Sequence, residues 1–347
     1  VGVKAGAVVP VASAETGWQV LVCRAAWDET HDVRTFVFAR ADGGALAFEP
    51  GQFMTFRARI GGALVERCYT LASSAAVGGA VAITVKRKPG GLMSAHLHAT
   101  FGTGARIEAH GPAGAFGSGA EPARRWLLIS GGSGITPMAA IVRTAADLGT
   151  DLDAVFVHAA RSPRDVIFAD EFARLSRRLP RLRVHLVASR TDGAAWTGET
   201  GRIDAAMLAR AVPDLAARHV LCCGPEGFMA AVRSLVPATR YAEESFDFGA
   251  PPAAPMTTEG VTRRIAFARS GTSFDCPPGA TILEAARAAG VPMPSSCGKG
   301  VCGTCKSRKL SGVVTMTHGG GIRQREIDQG MILPCSSRPD SDVTLDR

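Results

Sequence analysis

The stretch SSCGKGVCGTCKSRKL, Ser295–Leu310, carries Cys297, Cys302 and Cys305 within nine residues, and a further cysteine, Cys335, follows in MILPCSS. The spacing C-x4-C-x2-C with a distant fourth cysteine is the plant-type 2Fe-2S pattern. Gly298, Gly300 and Gly303 lie among the ligands, where unusual φ values and close backbone approach let amide N–H groups point at sulfur. Zinc is the alternative. Structural zinc sites usually pair their ligands as two C-x2-C knuckles, and only Cys302 and Cys305 form one here.

Outward from the cysteines, RRIAFARS and TSFDCPP read as a hairpin, TILEAARAAG as a short helix with Gly290 at its end, and DVTLD as a closing strand. Residues 261–347 are therefore expected to form a small β-grasp-like ferredoxin domain. The Pro, Ala and Gly content of GAPPAAPMTTEG marks residues 250–260 as a linker. A chain of 347 residues suggests two or three domains. Its 46% hydrophobic and 20% charged residues are those of a globular protein, with no apolar run that would span a bilayer. Residues 1–16 read as a lead-in that lacks the basic segment and long apolar core of a secretory signal. Nine cysteines, an odd number with a tight cluster, argue for metal ligation in a reducing compartment, so the cytoplasm is expected. Cys23, Cys68, Cys222 and Cys276 have no clustered partner and are expected as buried thiols. The net charge is +8, but the basic residues are scattered and aromatics are only 6%, which argues against nucleic acid. The histidines, His96, His98 and His110 included, lack ligand or catalytic spacing and are expected to be structural or solvated. No Ser-His-Asp set or paired-carboxylate site stands out.

A one-electron carrier asks what loads it, and the preceding residues supply an answer. ERCYTLASS gives Arg67, Tyr69, Thr70 and Ser73 in the pattern R-x-Y-[ST]-x-x-S, and ITVKRKPGGLMS follows. An aromatic face suits a flavin ring and an arginine its pyrophosphate. In the second stretch Gly90 and Gly91 allow a turn, and Ser94 is expected to open a helix whose N–H groups suit a phosphate. Each alone is also an ordinary strand or turn; their order makes the flavin reading the stronger one. WLLISGGSGITPMAAIVRTAADLG then reads as strand, Gly-rich turn and helix, with Thr136 as N-cap, Pro137 at the first helical position and Gly149 closing. Gly131, Gly132 and Gly134 would admit a dinucleotide, although G-G-x-G is not the G-x-G-x-x-G fingerprint. DAVFVHAARS, RVHLVAS and HVLCCGP continue an alternating α/β order, hence a parallel sheet. The last of these leads into CGPEGFMAAV, with Cys223, Gly224 and Pro225 at the carboxyl edge where such sheets bind ligands.

With RCYTLASS, VKRKPGGLMS, GPAGAF, SGGSGITPM, CGPEGFM, EESF and the four clustered cysteines in this order, residues 17–347 resemble the ferredoxin-NADP reductase superfamily. More narrowly, the chain is similar to reductase components of Rieske-type multicomponent oxygenases that carry a C-terminal plant-type ferredoxin domain. ETHDVRTFVF, PGQF, RCYTL and TVKRKPGG resemble most the subgroup serving glycine betaine, carnitine and stachydrine oxygenases. Reductases of hybrid-cluster protein and of aromatic-ring oxygenases share the layout. The resemblance implies an antiparallel, six-stranded FAD-binding β-barrel over 17–120, an α/β NAD(P)-binding domain with a five-stranded parallel sheet over 121–249, and the 2Fe-2S ferredoxin domain. It implies that Arg67, Tyr69, Thr70, Ser73, Val85, Lys86, Gly91, Met93 and Ser94 contact FAD. Gly132, Gly134, Thr136, Arg161, Cys223 and Gly224 would face the nicotinamide nucleotide, and Cys297, Cys302, Cys305 and Cys335 would ligate the metal. Tyr69, Thr136, Cys223 and Phe246 are the implied catalytic set: Tyr69 stacks on the flavin, Thr136 and Cys223 line the nicotinamide pocket, and Phe246 covers the flavin face until nicotinamide displaces it.

Ser189 and Arg190 follow a strand where an adenosine 2'-phosphate would bind, and with Arg161 they favour NADPH. The resemblance favours NADH, which is the expectation adopted. Glu243 and Glu244 are candidates for polarising the site. Residues 261–347 contain twelve Lys or Arg against seven Asp or Glu, and Lys299, Lys306, Arg308 and Lys309 crowd the cluster loop, so an acidic docking face is expected on the electron acceptor. A non-catalytic redox sensor or carrier is the rival class. The nicotinamide site argues against it.

Overall fold

The computed structural model describes residues 18–114, 116–117, 125–246 and 260–347, apart from positions 292, 294, 296, 297, 299, 301, 302, 304, 319, 320 and 323. The expected lead-in, and the linker up to residue 259, lie outside the described residues, as do Cys297, Cys302 and Lys299.

The first unit is built from β1 (Trp18–Thr30), β2 (Val33–Arg40), β3 (Phe53–Ile60), β4 (Ala63–Thr70), β5 (Val81–Lys86), α1 (Leu92–Thr100) and β6 (Arg106–Ala113). Strand pairing is antiparallel throughout, in the order β4-β3-β6-β1-β2-β5. An isolated bridge from Leu71 to Ile83 joins the two ends into a barrel. Period-two alternation in β2 sends Phe36 and Phe38 inward, onto a core with Leu21, Met54, Phe56 and Ile83. Ser94 does not open α1 as expected. The helix starts at Leu92, and Ser94 ties its first turn by accepting from Lys88 N at 3.1 Å and donating to Gly91 O at 3.2 Å.

The second unit comprises β7 (Trp126–Gly131), α2 (Ile135–Leu148), β8 (Ala154–Ala160), α3 (Ala169–Arg178), β9 (Leu182–Ala188), β10 (Glu199–Thr200), α4 (Ala205–Ala211), β11 (His219–Cys223), α5 (Glu226–Arg233) and β12 (Tyr241–Glu244). All pairings are parallel, in the order β10-β9-β8-β7-β11-β12. The sheet has six strands where the resemblance implies five; β10 is only two residues long and carries no periodic signal that would have revealed it. A short 3-10 turn, Gly132–Gly134, precedes α2, so the N-cap is Gly134 and not Thr136. Pro137 becomes the third helical residue, tolerated because the first four N–H groups of a helix lack intrahelical partners. Gly149 closes α2 at φ 65°, as expected. Both faces of the sheet are apolar and each carries its own core.

The third unit contains β13 (Arg263–Phe267), β14 (Ser273–Cys276), α6 (Ile282–Ala288), β15 (Ser307–Ser311), β16 (Val314–Met316), α7 (Gln324–Asp328), β17 (Met331–Ile332), β18 (Ser337–Pro339) and β19 (Val343–Leu345). The expected hairpin is β13–β14, and the expected closing strand is β19, parallel to β13. Thr281 and Glu284 form a capping box at α6. Cys23, Cys222 and Cys276 are buried, whereas Cys68 is only half-buried, because it faces the junction between the first two units and not the barrel core. Among the described residues no helix is long and apolar enough to cross a membrane.

Candidate functional site

The carboxyl ends of β7 and β11 are pressed together. A Cβ added to Gly134 would lie 2.2 Å from the carbonyl oxygen of Cys223 and 2.8 Å from Gly224 N, so only glycine lets the two turns touch. Gly132 takes φ 53°, and a Cβ on Gly224 would meet the Phe228 ring at 2.7 Å. The Gly-rich turn thus serves packing between turns as well as any ligand. Strand register places Glu244, Cys223, Ser130 and His158 side by side across β12, β11, β7 and β8. Neighbours in register on a sheet share a face, so this is a buried row of polar groups.

Burial sets the chemistry of that row. Burial pushes the Glu244 carboxyl up to about 8, with Cys68 adding to the rise, and its Oε2 has no hydrogen-bond partner among the described residues. The Cys223 thiol is raised well above its ordinary value by burial and then by the Glu244 charge. It is a neutral apolar wall and not a thiolate. Burial holds the His158 imidazole down to about 4. Its Nδ1 lies 2.8 Å from Ser130 Oγ, and Nε2 lacks a partner among the described residues. The sequence pattern gave His158 no role, since its burial shows only in three dimensions. Thr136 is buried, its hydroxyl donating to Ser133 O at 3.2 Å.

On the barrel side β4 presents Arg67, Tyr69 and Thr70. Arg67 is exposed and donates to Glu66 O at 2.7 Å, and Thr70 is buried. Tyr69 meets Phe56 edge-on at 5.8 Å, and burial raises its phenol above the ordinary range. Ser73 Oγ accepts from Ala82 N at 2.9 Å, so this hydroxyl shapes its own loop. Val85 and Met93 are buried, and Lys86 pairs with Asp32 at 3.0 Å. Gly91 has no room for a Cβ, which would lie 2.6 Å from Ser94 Oγ.

An unanticipated clasp joins the loop after β4 to α2. Arg143 donates to the carbonyl of Ala72 and binds Glu171 through two bonds of 2.7 and 2.6 Å, its guanidinium 4.4 Å from the Phe168 ring centroid. Phe168 holds a left-handed φ of 61° at the start of α3. Next along the helix, Thr144 Oγ1 accepts from Ala75 N at 2.9 Å. An arginine inside AAIVRTAADL was the available signal. Its partner is 71 residues away in sequence.

Arg161, Ser189 and Arg190 are all exposed at the ends of β8 and β9. Arg190 N donates to Arg161 O at 3.0 Å, which brings the two backbones together, while the Arg190 side chain pairs with Asp192 at 3.0 Å. Glu243 is held by Arg233 and Tyr241, on the opposite face from Glu244. Phe246 is half-buried against the core that contains Cys223.

In the third unit Cys305 and Cys335 bring their sulfurs to 3.1 Å, too far for a disulfide bond. Gly300 N points at Cys335 Sγ at 3.2 Å. Gly298, Gly300 and Gly303 have φ of 69°, 71° and 73°, the left-handed region that glycine favours. Two converging thiols and an amide aimed at sulfur fit part of the donor set of an iron-sulfur cluster. Of the lysines beside it, Lys306 pairs with Glu326 at 2.7 Å and Lys309 donates to Gly312 O at 2.7 Å, while Arg308 is exposed.

Family models match the chain in three places: an oxidoreductase FAD-binding domain at residues 23–117, an oxidoreductase NAD-binding domain at 128–234, and a 2Fe-2S iron-sulfur cluster binding domain at 265–340. The glycine betaine monooxygenase reductase subunit of Chromohalobacter salexigens is 40% identical over 92% of each chain. The stachydrine N-demethylase reductase subunit of Rhizobium meliloti is 38% identical over 92% of this chain and 94% of its own. Among solved structures, phthalate dioxygenase reductase, described as a modular structure for electron transfer from pyridine nucleotides to 2Fe-2S, is 28% identical with a TM-score of 0.59 over 96% of this chain and 99% of its own.

Proposed function

The chain belongs to the family of flavin and iron-sulfur reductases that includes the glycine betaine monooxygenase and stachydrine demethylase reductase subunits, and from that premise we propose that it passes electrons from NADH to a partner oxygenase. The partner is of the Rieske type, acting on a quaternary ammonium compound such as glycine betaine, as the names of the relatives suggest. When bound, the nicotinamide supplies a hydride and the flavin divides its two electrons into the single ones a 2Fe-2S cluster takes.

The observation that carries this reading is the buried junction of Gly134, Cys223 and Glu244, facing the barrel strand that bears Cys68 and Tyr69. Two turns held in contact make a rigid floor suited to a nicotinamide ring, and position is what hydride transfer demands. Tyr69 supplies the flavin's aromatic neighbour, with Arg67, Thr70, Ser73, Val85, Lys86, Gly91, Met93 and Ser94 around the rest of FAD. Gly132, Thr136 and Gly224 complete the nicotinamide pocket with Cys223, under Phe246. Arg161, Ser189 and Arg190 hold the adenosine end. Cys297, Cys302, Cys305 and Cys335 hold the cluster. The domains are taken as 17–120, 121–249 and 261–347, joined by 250–260, in a cytoplasmic protein.

The basic ferredoxin domain is read as meeting an acidic face on the oxygenase, so rising salt slows electron delivery by screening. The deciding experiment is anaerobic titration with NADH, and separately NADPH, following flavin and cluster absorbance together. Bleaching of both chromophores, with NADH the better donor, is expected. A flavin that bleaches while the cluster stays oxidised would sink the electron chain.

A further inference from the structure

Arg347 has no part in the site described above, yet its side chain lies against the cluster loop. Nε donates to Ser307 Oγ at 2.7 Å, and Nη2 reaches Lys306 O at 3.1 Å and Cys305 O at 3.4 Å. Ser307 is itself 3% exposed and its hydroxyl also bonds Cys305 O at 2.9 Å, so the guanidinium rests on a fixed platform. The side chain is half-buried. Among the described residues no carboxylate pairs with it: the neighbouring Asp346 turns away to Arg269, at 2.6 and 2.8 Å.

A partly buried cation without a counter-ion is costly unless something anionic compensates. Neutral carbonyls and a hydroxyl engage its Nε and Nη2 but do not balance its charge. An iron-sulfur cluster held by thiolates is anionic, and it gains one more negative charge on reduction. A guanidinium fixed beside it therefore stabilises the reduced form more than the oxidised one, and net local charge is among the quantities that set such potentials.

We propose that Arg347 is a positioning residue for the electron and not for substrate: its permanent charge, clamped on the backbone of Cys305, raises the cluster's affinity for the electron arriving from the flavin. The inference rests on the reading of Cys305 as a cluster ligand. Arginine suits the task better than lysine, since its fork reaches a hydroxyl and two carbonyls while staying charged at every working pH.

The test is the midpoint potential of the cluster in the full-length holoprotein, read by electron paramagnetic resonance during a redox titration. Arg347→Gln is expected to weaken electron binding about tenfold, a fall of about 59 mV for one electron. Arg347→Lys, which keeps the charge, is expected to stay much closer to the parent. Arg347→citrulline keeps the shape and the anchoring hydrogen bonds without the charge, and is expected to fall as far as Arg347→Gln. That variant decides the matter if the glutamine variant does not load its cluster. An unshifted citrulline variant, or a lysine variant shifted as far as glutamine, overturns the proposal. A Cys305→Ser variant with the parent's iron content and spectrum would instead refute the ligand reading beneath it, whatever Arg347 does.

Discussion

The junction of barrel and parallel sheet differs in construction from the contact between barrel and ferredoxin unit. At the junction, Arg143 and Thr144 bond the loop Ala72–Ala75, Val33 of the barrel enters the sheet's core, and a Cβ on Gly117 of the barrel would lie 3.2 Å from Ile141 Cδ1 of α2. Between barrel and ferredoxin unit, Lys306 lies near enough to His110 to help burial hold its imidazole below the usual range. That is a repulsion between like charges and not a bond. The contrast follows the chemistry. A hydride moves only when donor and acceptor atoms are nearly in contact, whereas a single electron crosses a gap, so only the first interface has to be locked.

The contrast is broken most decisively at Gly134. Its φ of −63° suits any residue, so Gly134→Val acts by steric displacement alone, and nicotinamide-driven flavin reduction is expected to fall about 100-fold or more in stopped-flow measurements. The cluster's spectrum should survive intact, and its loss would mean the two regions are not independent. Glu244 gives the next largest effect. Its folded pKa of about 8 lies above the ordinary carboxyl value of 4.5, so the folded state binds the proton more tightly than the unfolded one. The stability it contributes is present below pH 4.5 and is lost as pH rises toward 8, by at most about 1.4 kcal/mol per pH unit. Thermal melts between pH 5 and 8 should show that decline, and Glu244→Gln should flatten it.

Arg143→Met tests the clasp. Leaving Glu171 and the Ala72 carbonyl without their partner should cost about 2 kcal/mol, read as an earlier urea midpoint for flavin release. An equal shift in cluster loss would show that the clasp also supports the ferredoxin unit. The smallest effect sharpens the other side. Thr281→Ala removes the α6 cap and should cost about 1 kcal/mol, seen as earlier cluster bleaching in urea with flavin release unchanged.

What was legible in the sequence was whatever local chemistry dictates. Cysteine spacing and interleaved glycines announce the cluster loop, and alternating apolar strands and helices announce the parallel sheet. Helix starts were misplaced at Ser94 and Thr136 because in each case a glycine before the hydroxyl residue does the capping. The edge strand Glu199–Thr200 was invisible because two residues carry no period. Burial of Glu244 and His158, and the reach of Arg143 to Ala72, depend on which strands become neighbours, and no local pattern encodes that. Arg347 was hidden for the same reason: Ser307, its partner, lies 40 positions away.

The clasp at Arg143 also limits how this reductase can be recombined. A chimera that takes its flavin barrel from one parent and its nucleotide sheet from another inherits a loop and a helix that were never fitted to each other, and the flavin loop loses its anchor. A crossover after Phe246 leaves that pair intact. In a chimera the barrel and sheet are therefore best moved as one cassette, with the ferredoxin unit as the separately exchangeable part.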